Sequence, residues 1–297
     1  MSNNTPLITK EFLKDKIKSR PIDSNKGTFG NLLAICGSYG MAGAAMMAAM
    51  GALRSGVGLM RLAIPESIYP IAAVRLPECV FHPIKTTDKT FSQSNCTELL
   101  KLCETASAVV LGCGMGWNFF TSSVTERIVE SCAVPMVIDA DGLNCVSEHI
   151  DILNSAKAPL IITPHPGEMA RLTKTTIEEV QSNRIECACN FAKKYNVITV
   201  LKGAGTVVAS PTGEHRVNTT GNPGMSTGGS GDILAGIVGS LLSQGYSPFD
   251  AACLGVFVHG LAGDITAKQQ GMISMLPTDT LKNIGKSFSF ISGEIKG

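Results

Sequence analysis

GNPGMSTGGSGDILAGIVGSLL, residues 221–242, is the stretch on which the reading of this chain turns. Glycines at 224, 228, 229 and 231 precede a single aspartate, Asp232, and an apolar run of helical character follows. Glycines ahead of a helix let backbone N–H groups turn toward an anion, and the helix N-terminus adds partial positive charge. The pattern G-x-x-x-x-G-K-[ST] is missing, so this is not a P-loop. An Asp in a first helical turn caps the helix by default. Beside a bound phosphate it can instead take a proton from a hydroxyl that is being phosphorylated. The stretch alone leaves both roles open for Asp232.

The chain around it has 297 residues, 44% of them hydrophobic, with a formal net charge of +1. A chain of this kind buries a large core and reads as globular. Aromatics make up 5% and no basic cluster stands out. Nucleic acid is therefore not an expected partner, because phosphate-tracking surfaces concentrate Lys and Arg. The ten cysteines form no C-x-x-C pair. In "CAC", Cys187 and Cys189 would point to different faces of a helix. The expectation is buried thiols in a reducing cytoplasm, with neither zinc nor disulfides. The polar N-terminus carries no signal core. The Ala- and Met-rich run at 41–60 is interrupted by Arg54 and reads as a tightly packed interior helix followed by a strand, not a membrane span.

Short apolar strands are expected at 31–36, 58–64, 107–112, 135–138 and 159–162, with two more in "VITVLKGAGTVVAS" and another in "EHRVN". Helices are expected near 119–132, after Glu168, from Thr176 onward as one longer helix, twice after Asp232, and from "PTDTL". Thr176 with Glu179 fits a capping box, and Ser247 before Pro248 fits an N-cap with proline at the first helical position. Strands alternating with helices, apolar throughout, predict an α/β fold with a mainly parallel sheet covered on both faces. The whole chain, 1–297, reads as one domain.

In open α/β sheets, ligands collect beyond the carboxyl ends of the strands. Six unusual segments fall there: Gly37–Gly43, Gly112–Gly116, Asp139–Asn144, Thr163–Glu168, Lys202–Thr206 and the opening stretch. Lys202 can reach a phosphate as a point charge or sit exposed in a plain hairpin. His165, between two prolines, can hydrogen-bond a substrate or act near neutral pH as acid or base. Asp139 and Asp141 can hold Mg²⁺ through water or cap the next helix. His259 lies within an apolar helix and reads as a core residue or as support for the site.

In order, the segments are KGTFGNLLAICGS, MAGAAMMAAMGALRSGVGL, LGCGMG, IDADGLN, ITPHPGEMARL, VLKGAGTVV and the opening stretch. From about Lys26 to about Asp264 this series resembles the NAD(P)H-hydrate dehydratase family of the ribokinase-like superfamily. The glycine-rich segment with Asp232 is shared with ribokinase-like kinases, whereas the "ITPHPGE" and "LKGAGT" pair points to the dehydratase.

The resemblance implies a ribokinase-like fold. It implies dehydration of the S epimer of hydrated NADH or NADPH back to the normal cofactor, with ADP (or ATP) losing its terminal phosphate and Mg²⁺ assisting. Lys202, Gly203, Ala204, Gly205 and Thr206 match the family's adenine-nucleotide contact, and Gly231 a nucleotide-contacting glycine. Gly228, Gly229, Ser230 and Gly231 form the anion hole. Gly114, His165 and Asp232 match substrate contacts, with one further contact at Ala42 or Ala44. Asp232 is the expected catalytic base. A homotetramer in the cytoplasm is also implied. About 25 residues precede "KGTFG", too few for an epimerase domain, so a separate epimerase partner is expected. A ribokinase-like alcohol kinase using ATP, or a nucleotide-binding sensor, are the alternatives.

Overall fold

The structure, a computed structural model, describes residues 5–87 and 89–293. The strands are β1 (Asn31–Ile35), β2 (Leu59–Pro65), β3 (Val80–Ile84), β4 (Ala108–Leu111), β5 (Met136–Ile138), β6 (Leu160–Ile162), β7 (Ile198–Leu201), β8 (Thr206–Ala209) and β9 (His215–Asn218). They form one sheet in the order β3-β2-β1-β4-β5-β6-β7-β8-β9. Pairing is parallel from β3 across to β7. The β7–β8 and β8–β9 pairs are antiparallel. Strand order reverses at β1, which lies between β2 and β4.

The helices are α1 (Lys10–Lys14), α2 (Ala42–Arg54), α3 (Tyr69–Arg75), α4 (Cys96–Glu104), α5 (Phe119–Ser131), α6 (Asp141–Val146), α7 (Pro166–Thr173), α8 (Ile177–Ser182), α9 (Arg184–Tyr195), α10 (Ser230–Ser243), α11 (Pro248–Gln270) and α12 (Pro277–Ser292). Side chains alternate across a strand. Leu32 and Ala34 of β1 therefore enter the apolar layer shared with α2, α10, α11 and α12. Leu33 and Ile35 enter the opposite layer, with α4, α5, α6, α7 and α9. The strands are mostly apolar on both sides because both faces are covered, with Arg61, Thr199 and Arg216 among the exceptions.

The expected strands are present to within a residue or two. The resemblance's ribokinase-like fold is the one observed. Ser247 caps α11 by accepting from Asp250 N at 3.1 Å, with Pro248 at the first helical position. Thr176 and Glu179 make the expected capping box. The helix they start is not one long helix: it ends at Ser182, and Asn183 takes φ −132°, ψ 46° before α9 begins. β3 lies outside the sequence expectations. It is a half-exposed edge strand with Pro83 in it, and edges tolerate proline because one side needs no ladder bond. All ten cysteines are free, seven of them buried. α11 is long and apolar enough to cross a membrane, but 72% of its apolar window is buried in the fold. The Ala-rich helix α2 packs Ala45, Ala48, Ala49 and Ala52 inward.

Candidate active site

Asp232 is the third residue of α10, whose N-cap is Gly229, and no side chain caps that helix. The default reading of Asp232 as a cap is thus corrected: a carboxylate at this position turns inward, toward Asp139 and Cys113, with which it forms a cluster of ligand atoms within 4.8 Å of one another. Because Gly229 brings no capping oxygen, the amides of Gly231 and Asp232 meet no acceptor among the described residues. Unspent N–H groups at a helix N-terminus are an anion site, and here an acid stands inside it. Burial, followed by repulsion from Asp139, pushes the Asp232 carboxyl up to about 6.

Lys202, at the end of β7, reaches across to β5. Its Nζ is 2.6 Å from Asp139 Oδ1 and 3.8 Å from Glu168 Oε2, and it lies against Gly231. Thr163, just beyond β6, donates to the same Asp139 oxygen at 2.7 Å. Cys113 Sγ is 3.9 Å from the other. The plain-hairpin reading of an exposed Lys202 does not hold: the side chain is only 17% exposed. Burial works against its charge, but Asp139 and Glu168 outweigh that and hold the ammonium above its usual range. Lys202 thus presents a fixed positive charge under the anion site.

His165 is the N-cap of α7. Its Nδ1 accepts from Gly167 N at 3.0 Å and Glu168 N at 3.3 Å. The Glu168 carboxylate returns the bond, accepting from His165 N at 2.7 Å. This is a capping box with histidine in the place usually taken by Ser or Thr, and for that reason the sequence did not reveal it. Burial, then the nearby Lys202, lowers the imidazole pKa. With Nδ1 accepting, the neutral ring carries its proton on Nε2, which lies 3.4 Å from Glu168 Oε1 in a side chain that is half-exposed as a whole. Glu168 is buried, and burial raises it to about 7. Sequence reasoning assigned no site role to Glu168 or Thr163, which the fold places beside Lys202.

On the β1 and β4 side, Gly114 packs against α2. A Cβ at Gly114 would lie 2.6 Å from the Ala44 Cβ, so Ala44 is the α2 residue packed directly against Gly114. Ser38 Oγ donates to Gly114 O at 2.9 Å. Asp141 Oδ2 accepts from Gly116 N at 2.8 Å, and Asn144 Nδ2 donates to Asp141 Oδ1 at 3.3 Å. Asp141 therefore spends its oxygens on fixing the glycine loop. At the other end, Asp264 of α11 accepts from Gly221 N at 2.9 Å and from Asn222 Nδ2 at 3.0 Å, tying down the start of the opening stretch.

Two cavities meet at the N-terminus of α10. One, of about 480 Å³, is walled by the turn from Lys202 to Thr206, by Asn218–Asn222 and by α10 and α11. His259 stands in that wall, held neutral as burial lowers its pKa to about 4, and its Nε2 finds no partner among the described residues. The other, of about 530 Å³, holds Asp139, His165, Glu168 and the loop from Gly228 to Asp232. Lys202, Gly203, Ser230 and Gly231 line both. The arrangement is a pair of adjoining cavities with unbonded helix amides and a carboxylate at their junction.

The family model of NAD(P)H-hydrate dehydratase matches residues 32–286. The chain is 37% identical over 279 residues to the bifunctional NAD(P)H-hydrate repair enzyme Nnr of Moorella thermoacetica, covering 94% of this chain and 53% of that one. It is 38% identical over 263 residues to the ADP-dependent (S)-NAD(P)H-hydrate dehydratase of Neisseria meningitidis, covering 87% and 84%. The chain thus spans about half the length of the bifunctional relatives it matches. Among solved structures, the ADP/ATP-dependent NAD(P)H-hydrate dehydratase of Bacillus subtilis, co-crystallised with ATP and Mg²⁺, superposes with a TM-score of 0.85 at 28% identity, covering 98% of this chain and 100% of that one. Matched along most of its length in sequence and throughout in fold, the chain belongs to the NAD(P)H-hydrate dehydratase family.

Proposed function

We propose that this chain dehydrates the S epimer of hydrated NADH or NADPH, driven by loss of the terminal phosphate of ADP, with ATP as a second nucleotide. The observation that carries the reading is Asp232. Its carboxylate stands beside unspent backbone amides where the two cavities meet. The names of the Neisseria and Bacillus relatives support the substrate and the nucleotide.

In this reading the nucleotide occupies the cavity walled by residues 202–206, with its terminal phosphate at the amides of Gly231 and Asp232. The damaged ring lies toward Gly114, Ala44 and His165. Hydroxide is a poor leaving group and phosphate a good one. Asp232 takes the proton of the ring hydroxyl as its oxygen bonds to the terminal phosphorus, and the bond from that phosphorus to AMP breaks. The ring nitrogen lone pair then expels phosphate, and a proton leaves the neighbouring carbon to restore the double bond. Lys202 and the α10 amides stabilise the negative charge of the transferring group. His165 offers its Nε2–H to the substrate.

Mg²⁺ on the nucleotide would neutralise phosphate charge. The converging side chains do not fit it directly. One donor of the cluster is a thiol, a poor match for a hard cation, and Asp139 already carries an ammonium at 2.6 Å. Asp141 is taken up by Gly116 and Asn144. The ion is read as travelling with the phosphates and their waters, and no step above runs through it. A homotetramer, and pairing with an epimerase activity for the R epimer as the bifunctional relatives suggest, complete the proposal. Replacing Asp232→Asn keeps the shape and removes the base. Turnover should drop by about 10²–10⁴-fold, with the protein still folded, and near-normal turnover would remove Asp232 from this role.

A further inference from the structure

The turn from Lys202 to Thr206 is a thin wall. Ala204 and Gly205 line the cavity of about 480 Å³ on one side and, on the other, an outer cavity lined by Gln181 and Arg184. Arg184 opens α9 directly after the break at Asn183. Its Nη2 donates to three carbonyls of this one hairpin end: Leu201 O at 2.9 Å, Lys202 O at 3.2 Å and Gly205 O at 3.4 Å. Nη1 donates to Gln181 Oε1 at 2.8 Å. Among the described residues, no carboxylate is an electrostatic partner of this guanidinium, and its buried Nε finds no partner. The group is aimed at the turn even though one of its own donors goes unmet. A fourth carbonyl, Gly203 O, accepts from Thr206 Oγ1 at 2.9 Å. The turn's acceptors are therefore bound from behind, while the amides of Gly203, Ala204 and Gly205 enter no hydrogen bond among the described residues.

We infer that Arg184 is a positioning residue for the nucleotide: by holding three carbonyls from outside, it fixes the turn with its free amides available to the ligand in the cavity that the turn walls. The inference rests on the placement of the nucleotide proposed above. Four acceptors, three carbonyls sharing the two hydrogens of Nη2 and Gln181 on Nη1, on one planar guanidinium are a task for arginine. The lysine ammonium is a point charge on a flexible stem and reaches fewer acceptors at once. The helix break at Asn183 then has a purpose, since it is the point from which α9 sets out with Arg184 at its first residue.

The test compares wild type, Arg184→Met and Arg184→Lys in the full chain. ADP binding is measured by titration calorimetry and turnover with hydrated NADH. Losing a charge-assisted fork should raise Kd and KM for ADP about tenfold or more in Arg184→Met. kcat at saturating ADP and KM for hydrated NADH should stay within a few-fold of wild type, because Arg184 touches neither the base nor the ring. Arg184→Lys should fall between. A folded Arg184→Met that binds ADP as wild type does overturns the inference, as does a fall in kcat with unchanged ADP affinity. Should Arg184→Met fail to fold, Arg184→Lys decides: weakened ADP binding supports the inference and wild-type binding overturns it. Wild type that binds ADP without dehydrating the substrate overturns the proposed reaction alone, and the comparison of Kd values still decides on Arg184. Wild type that binds neither ADP nor ATP overturns both.

Discussion

Asp232 carries a proton-transfer role only while it is ionised, and its neighbours set when that is. Burial and Asp139 raise its carboxyl to about 6. The rate should therefore fall as pH drops through about 6, where the base becomes protonated. Replacing Asp139→Asn removes a negative charge that raises Asp232 and frees Lys202 from its counter-ion. Both changes lower the Asp232 pKa, so the acid limb of kcat/KM against pH should move below 6 in Asp139→Asn. An acid limb that stays in place would mean that Asp139 does not govern this base. The same variant leaves the Lys202 ammonium with Glu168 as its remaining partner. It should lose stability by up to about 3–5 kcal/mol, the scale for breaking a buried ion pair from one side, as read by urea denaturation. None of this is visible along the chain, because Lys202 and Asp139 are 63 positions apart. The sequence shows that Asp139 and Lys202 each follow a strand. Only the pairing of β5 with β6 and of β6 with β7 brings them together.

At the scale of elements, the position of the anion site depends on how closely α10 approaches α2. Gly236 of α10 lies against the α2 backbone, and a Cβ there would be 1.9 Å from Ala48 O. Gly236→Ala should force the helices apart and destabilise the chain by about 1–3 kcal/mol, the usual range for overpacking. It should also slow turnover, since α10 carries Asp232 and α2 carries Ala44. An unchanged melting temperature and rate would show that the helix contact is slack. The Ala- and Gly-rich composition of residues 41–60 already pointed to a tightly packed interior helix. The partner was not legible, because small residues announce a close contact without naming what comes close. The break at Asn183 was equally hidden: the capping box at Thr176 and Glu179 starts a helix by local chemistry, but where it stops is set by Arg184 reaching the 202–206 turn. β3 escaped notice because Pro83 and His82 look unlike strand residues, and its pairing depends on an edge that only the assembled sheet provides.

For the whole molecule, alternating apolar strands and helices made the doubly covered parallel sheet readable, and four of the six post-strand segments line the two cavities, while 37–43 and 112–116 line neither. The antiparallel β8 and β9 extend that sheet and help wall the cavity proposed for the nucleotide. Two buried carboxyls also shape how the stability depends on pH. Glu168 and Asp232 are raised to about 7 and about 6, so the folded chain keeps protons that the unfolded chain releases. The stability they contribute is complete below the unfolded values and is lost as pH rises toward 7. A ligand that binds only the folded chain adds stability by mass action. ADP at a hundredfold excess over its Kd should therefore add about 2.7 kcal/mol and raise the melting temperature by several degrees. A melting temperature unmoved by ADP or ATP would empty the proposed nucleotide cavity of its role.

The most direct test of the central claim follows the reduced-nicotinamide absorbance of hydrated NADH incubated with the protein, Mg²⁺ and either ADP or ATP. The account predicts that absorbance returns with the S epimer only when nucleotide is present, with one phosphate released for each NADH regained. No return of absorbance with either nucleotide, or phosphate release without NADH, would contradict it.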